Sequence, residues 1–279
     1  MRLNLSEEEQ AASAFKIIKR NGLILTSDIL AVMTGSASAL HIKGAATKET
    51  CERIARNFNE NEGVMIRKDG VDGKYIGASH FKKGCQAYFE ESSRNKRYID
   101  ALLGDVLDPV RAAFSLLDMT LSERGGSIRL ASSSVGKANY CRALCWTGQN
   151  AYALEPHDDL AQVLHAGEGY EFVDVAKHQV VAVNFYPSMP EQGGDLRIWN
   201  YKPTPEEKEV HGLAKTGYPY TPDLLDEKEY WDLGVNAGDL VLLNGAFVHA
   251  VTKQSRQGTR LLLHAFMGFV DETHAVWWT

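Results

Sequence analysis

From Ile128 onward the chain is a succession of short β-type segments, each closed by turn residues, and a chain of that texture has to fold as layered sheets. The segments cover 139–146, 151–159, 180–186, 196–200 and 240–244, followed by a closing pair at 247–252 and 259–269. The first 125 residues read differently. Ser6 and Glu9 form a capping box, and Ala11, Ala12, Ala14, Phe15, Ile17 and Ile18 continue an amphipathic helix that Asn21-Gly22 stops. Residues 38–44 alternate as a strand, with His41 as a packing or exposed residue. Thr47 then opens a helix with one apolar stripe that runs from Glu49 to Phe58. Gly70, Gly73, Gly77 and Gly84 break 61–90 into short strands and loops, serving either as a lid or as a plain connector. Residues 93–121 read as two helices parted at Asp108-Pro109. The expected architecture is α+β: a double-stranded β-helix (jelly roll, cupin-like) with helices covering one outer face. It is expected to form one domain over 1–279, mixed and helical over 1–125 and β over 126–279.

Two imidazoles, a carboxylate and a guanidinium stand on this β half at telling intervals: His157, Asp159, His249 and Arg260. Residues two apart on a strand share a face, so His157 and Asp159 can ligate one metal while Asp158 points away. The run 238–244, with Leu240-Val241-Leu242-Leu243 at its centre, reads as a buried strand that delivers His249 to the same place. Two nitrogens and one carboxylate on one face of a cation leave its other positions open, as in non-haem Fe(II) oxygenases. With Ser255-Arg256-Gln257-Gly258 as a hairpin turn, Arg260 falls opposite His249. A guanidinium there suits the far carboxylate of 2-oxoglutarate, whose keto acid end would chelate the iron.

A net charge of −6 argues against a general grip on nucleic acid, which needs Lys and Arg to neutralise phosphates. The acidic start, Ser6-Glu7-Glu8-Glu9, lacks the basic and apolar regions of a secretory signal, and no stretch has the roughly 20 apolar residues needed to cross a bilayer. Cys51, Cys85, Cys141 and Cys145 fit neither a zinc pair nor a disulfide scaffold, so they read as reduced, mostly buried thiols of a cytoplasmic protein.

Carried by His157-x-Asp159, His249 and Arg260, the chain resembles the jelly-roll Fe(II)/2-oxoglutarate-dependent oxygenases. Within them it is most similar to the branch of free-standing aliphatic halogenases and N-substituted amino acid hydroxylases. Residues 39–58, 190–196, 238–245 and 260–279 share the texture of that branch. Halogenases of the branch carry Gly or Ala in place of the carboxylate ligand, and chloride takes the vacated position. Asp159 fills it here, so the resemblance implies hydroxylation of an unactivated C–H bond in a free small molecule, an amino acid derivative or specialised metabolite, with Fe(II), 2-oxoglutarate and O2. Desaturation, epimerisation or cyclisation uses the same four residues. A nucleic-acid demethylase is disfavoured by the acidic balance and by Phe266, where that pattern has a second arginine. A silent binding module is disfavoured by retention of every ligand.

Four further residues are candidates for substrate contact. His264 shares strand parity with Arg260, pointing into the barrel or serving as a hydrogen-bonded core histidine. Arg142 offers a second anion anchor or a structural ion pair. Trp199 and Phe81 are pocket walls or core. Trp277 and Trp278 close the mouth or pack against the barrel, Gly193-Gly194 is ordinary turn chemistry, and the proline-rich excursion 202–231 borders the site.

Overall fold

Thr47 and Asp108 cap helices as their sequences require: the Thr47 hydroxyl accepts from the Thr50 N–H, and the Asp108 carboxylate from the Val110 and Arg111 N–H groups, with Pro109 in the first turn. The computed structural model describes residues 15–279 except 69–71, 149, 178 and 256. In chain order the first elements are β1 (Ile17–Asn21), α1 (Thr26–Met33), β2 (Ala39–Lys43), α2 (Lys48–Glu60), β3 (Met65–Ile66), β4 (Gly73–Ile76), α3 (Cys85–Leu103) and α4 (Pro109–Ser122). The β half continues with β5 (Ser127–Leu130), β6 (Ser132–Ser133), β7 (Gly136–Lys137), β8 (Arg142–Trp146), β9 (Tyr152–His157), α5 (Leu160–Leu164), β10 (Val181–Ser188) and β11 (Leu196–Trp199). It ends with α6 (Pro205–Val210), β12 (Tyr230–Leu233), β13 (Leu240–Asn244), β14 (His249–Thr252), β15 (Arg260–Phe269) and β16 (His274–Trp278).

Ten strands form the major sheet, in the order β1-β2-β13-β10-β15-β8-β4-β3, with β16 joining β15 to β5. A minor sheet runs β12-β11-β14-β9. Strand alternation divides the major sheet into two buried faces. On β15, Leu261, Leu263, Ala265 and Met267 pack with Ile29 and Met33 of α1, Ile54 and Phe58 of α2, Leu102 of α3 and Leu117 of α4. Leu262 and Phe266 point the other way, toward Leu196, Ile198 and Val251 of the minor sheet. This is the jelly-roll core with helices on one face, and it explains the unbroken apolar run at 240–243, because a strand covered on both sides has no solvent face to mark with polar residues.

One expected element is replaced. Residues 6–14 of the anticipated first helix lie outside the described residues, and Ile17–Asn21 form a strand paired in parallel with Ala39–Lys43. An available sheet edge hydrogen-bonds the β-branched pair Ile17-Ile18 and overrides the local helical pattern. Trp277 and Trp278 are fully buried on opposite faces of β16, Trp278 stacked on Phe172 at 4.6 Å, so they pack rather than close a mouth. All four cysteines are free, with Cys51, Cys141 and Cys145 buried. Among the described residues, no helix is long and apolar enough to cross a membrane.

Candidate metal centre

His157 ends β9 and His249 begins β14, and the two are register partners in the minor sheet, so both imidazoles lie on one face with ring centroids 4.2 Å apart. Their Nδ1 atoms lie beside backbone carbonyls, Glu155 O at 2.8 Å and Phe247 O at 2.9 Å. A carbonyl only accepts, so each Nδ1 carries the proton and each Nε2 presents a lone pair. Asp159 completes the group. Its Oδ1 lies 3.9 Å from His157 Nε2 and its Oδ2 3.5 Å from His249 Nε2, and one donor atom from each residue lies within 4.8 Å of the others.

The electrostatics suit a cation. Burial pushes Asp159 up to about 6 and both histidines down to about 4, so the pocket resists a carboxylate charge and keeps the imidazoles neutral. Asp159 Oδ2 is buried without a hydrogen-bond partner. A divalent ion would hold the carboxylate ionised, engage that oxygen and use the two free lone pairs, so these residues fit Fe(II).

The alternation that places His157 and Asp159 on one face of a strand does not operate. Strand β9 stops at His157 and Asp159 already has helical backbone angles, its N–H held by Gly245 O at 2.8 Å. Gly245 is the residue that the sequence reading missed: a Cβ there would meet Asp159 Cβ at 2.8 Å and Oδ2 at 2.9 Å. Gly245→Ala is therefore expected to displace the carboxylate and weaken iron binding by about 10- to 100-fold, as read by titration with a competing chelator. Asp158 does point away from the cluster, but into a buried network. Lys208 Nζ donates to its Oδ1 at 2.7 Å, Tyr220 Oη to its Oδ2 at 2.7 Å, and the Ala161 N–H to its Oδ1. The 202–231 excursion is thus anchored beside the ligands, and the Tyr218 ring lies edge-on to His157.

Arg260 is not the hairpin partner of His249. The connection after β14 crosses from the minor to the major sheet, where Arg260 pairs with Trp146 of β8. A turn-based register assumes one continuous hairpin, and here the chain changes layer instead. The guanidinium is 1 % exposed, lies over the rings of Trp146 (4.8 Å) and Tyr186 (5.1 Å), and donates through Nε to Gly194 O at 2.9 Å. Gly193-Gly194 is therefore more than a turn, since its carbonyl aims the arginine. Arg260 Nη1, Trp146 Nε1 and Gln254 Oε1 are buried with no hydrogen-bond partner among the described residues, an arrangement that fits a polar ligand end.

Among the substrate candidates, His264 and Arg142 are register partners on the inner face of the major sheet. Trp199 is not on the pocket side. Ile198 pairs with His249 and shares its face, so Trp199 faces outward, clustered with Leu213, Tyr220, Val248 and Ala250. Phe81 is half-buried under the Lys82 ammonium, whereas its neighbour His80 packs inward among Tyr88, Tyr170, Phe172, Phe266 and Trp278. Asn184, which holds His264, also went unread, although a lone amide in the apolar run 181–186 was its signal.

Comparison with known proteins agrees with this geometry. The family model of the carrier-protein-independent halogenase WelO5 matches residues 25–279. An L-isoleucine 3(1)-dioxygenase from Pantoea ananatis (strain AJ13355) is 33% identical over 248 residues, covering 85% of this chain and 82% of the relative. An N-substituted L-amino acid dioxygenase from Burkholderia ambifaria AMMD shares the fold, with a TM-score of 0.57 at 13% identity over 92% of both chains. Its complex with α-KG gives a TM-score of 0.51 at 15% identity, over 91% of this chain and 90% of that one. The chain belongs to the WelO5 family of the Fe(II)/2-oxoglutarate-dependent oxygenases and is a non-haem dioxygenase acting on a small molecule.

Proposed function

We propose that His157, Asp159 and His249 hold Fe(II), that Arg260 binds the far carboxylate of 2-oxoglutarate, and that the reaction is hydroxylation of an aliphatic C–H bond in a free amino acid. The observation that carries this is the converging His-Asp-His group with an unpartnered carboxylate oxygen. Bound there, Fe(II) with 2-oxoglutarate and O2 supplies oxidation of an unactivated C–H bond, with release of succinate and CO2. The protein's part is positional. The Glu155 and Phe247 carbonyls lock the imidazole tautomers, and the Gly245 carbonyl sets the backbone of Asp159. Trp146 and Tyr186 exclude water from Arg260, which strengthens its pairing with a carboxylate. Asp159 occupies the position that a halide would need, which favours hydroxylation over chlorination, and the isoleucine-oxidising relative supports the substrate class. The charge of −6 favours a small molecule over nucleic acid.

Anaerobic addition of Fe(II) and 2-oxoglutarate should produce a weak visible charge-transfer band, and aerobic turnover should yield a product heavier by one oxygen in step with succinate. No band and no bound iron would sink the reading. Arg260→Ala is expected to raise the 2-oxoglutarate requirement by the equivalent of about 2–5 kcal/mol, because a desolvated carboxylate loses its partner. An unchanged dependence of succinate release on 2-oxoglutarate concentration would refute the assignment of Arg260.

A further inference from the structure

A cavity of about 560 Å³ opens on the helix-covered side of the major sheet, where the C-terminal ends of α1 and α4 meet the turn between β15 and β16. That volume is in the range of small-molecule sites, and the iron chemistry makes no use of it. Its apolar floor is Leu30 and Met33 of α1, Leu121 of α4 and Phe269 of β15. Two charges of opposite sign stand on the rim, Arg124 just after α4 and Glu272 in the turn, and among the described residues neither side chain makes a hydrogen bond or an ion pair. We propose that this cavity is a second small-molecule site, for a free amino acid with an apolar side chain, and that, resting on the iron reading above, its occupant steadies Asp159.

Charge complementarity selects the ligand. Asp271, the other carboxylate on the rim, is engaged inside the turn by the Thr273 and His274 N–H groups, which leaves Glu272 to meet an ammonium. Gln179, just before β10, also lines the cavity, and its Oε1 accepts from Asn244 Nδ2 at 2.6 Å. What Gln179 can offer an occupant is therefore the Nε2 donor, which together with the Arg124 guanidinium suits a carboxylate. Arg124 and Glu272 are not paired with each other, so a zwitterion can join them while its apolar body covers Leu30, Met33, Leu121 and Phe269.

A short run of hydrogen bonds ties the cavity to the candidate ligands. Gln179 Oε1 holds Asn244, the Gly245 N–H donates to Val180 O at 2.8 Å, and Gly245 O accepts the Asp159 N–H at 2.8 Å. Gly245 also lies against the Asp159 carboxylate. An occupant bonded to Gln179 restrains residues 179 and 180 and, with them, Gly245, so less ordering of Asp159 is left for the metal to impose. Because binding coupling is reciprocal, iron and occupant should each tighten the other.

The test follows the ¹³C-labelled methionine methyl groups of the full-length, iron-free protein, with Met33→Leu identifying the Met33 signal. L-Phenylalanine is expected to shift that signal and to bind about 2- to 5-fold more tightly than phenethylamine or N-acetyl-L-phenylalanine, each of which lacks one charge. Arg124→Glu should weaken L-phenylalanine about 5- to 20-fold while tightening phenethylamine, and Glu272→Lys should tighten N-acetyl-L-phenylalanine, gains that a damaged fold would not give. In competition with a chelator, saturating L-phenylalanine should raise iron affinity about 5-fold, and both Arg124→Glu and Gln179→Met should lose that gain. A Met33 signal unmoved by every probe, or rim variants that leave all three affinities unchanged, overturns the site. If the signal moves but iron binds equally with and without L-phenylalanine, the coupling falls and the cavity site stands. If no iron binds at all, the iron reading and the coupling fall, and the Met33 signal still decides the site.

Discussion

Asp159→Ala is expected to cost the enzyme its iron affinity and more than about a hundredfold of its hydroxylation rate. The estimate follows because loss of a supporting contact around a metal already costs 10- to 100-fold, and this change removes a ligand. The reason lies in the local charge. The two imidazoles are kept neutral by burial, so Asp159 is the only carboxylate that the group offers to balance a divalent ion. Asp159→Gly should lose hydroxylation equally, and it leaves a gap beside the imidazoles that a chloride ion suits by charge, so its products are to be screened for chlorine as well as oxygen. Metal content by elemental analysis and product by mass spectrometry provide the readouts. Normal turnover in either variant would remove Asp159 from the ligand set.

Lys208→Met is expected to destabilise the protein by about 3–5 kcal/mol, lowering the melting temperature by on the order of 10 °C. Lys208 is 5 % exposed and Asp158 fully buried, so removing the ammonium strands a carboxylate with no water to solvate it. The Tyr220 hydroxyl and the Ala161 N–H remain as hydrogen-bond donors, but neither supplies a charge. The damage should spread in a defined direction. The Asp158 N–H is held by Gly217 O and the Tyr220 N–H by Pro156 O, so the 202–231 excursion is fastened to the segment that carries His157 and Asp159. Limited proteolysis should therefore cut within 202–231 in the variant before it cuts elsewhere. Replacing both partners, in Asp158→Leu with Lys208→Met, should recover part of the loss, since no unpaired charge is left behind. A single variant within about 1 kcal/mol of wild type would show that the pair is dispensable.

Both effects turn on residues one apart, and they differ in how far they could be read from the chain. Asp159 stands in a recognisable spacing with His157. The role of Asp158 depends on Lys208 and Tyr220, 50 and 62 positions away, and no local pattern links them. The same division runs through the fold. Helices α2 and α4 were legible because their caps, Thr47 and Asp108, act within three residues. Strand β1 was not, because a parallel partner at Ala39–Lys43 decides its conformation.

By itself the sequence determined the strand-rich second half, the two-sided burial of its central strands and the chemical identity of the four groups His157, Asp159, His249 and Arg260. Periodicity and side-chain chemistry are properties of neighbouring residues and survive without the fold. Only the tertiary structure decided that Asp159 leaves its strand to be set by Gly245, that Arg260 comes from the opposite sheet, that Trp199 turns outward and that Asn184, His264 and Arg142 form one row. Each of these depends on where the chain changes layer and on register between strands distant in sequence, which are set by packing the whole core.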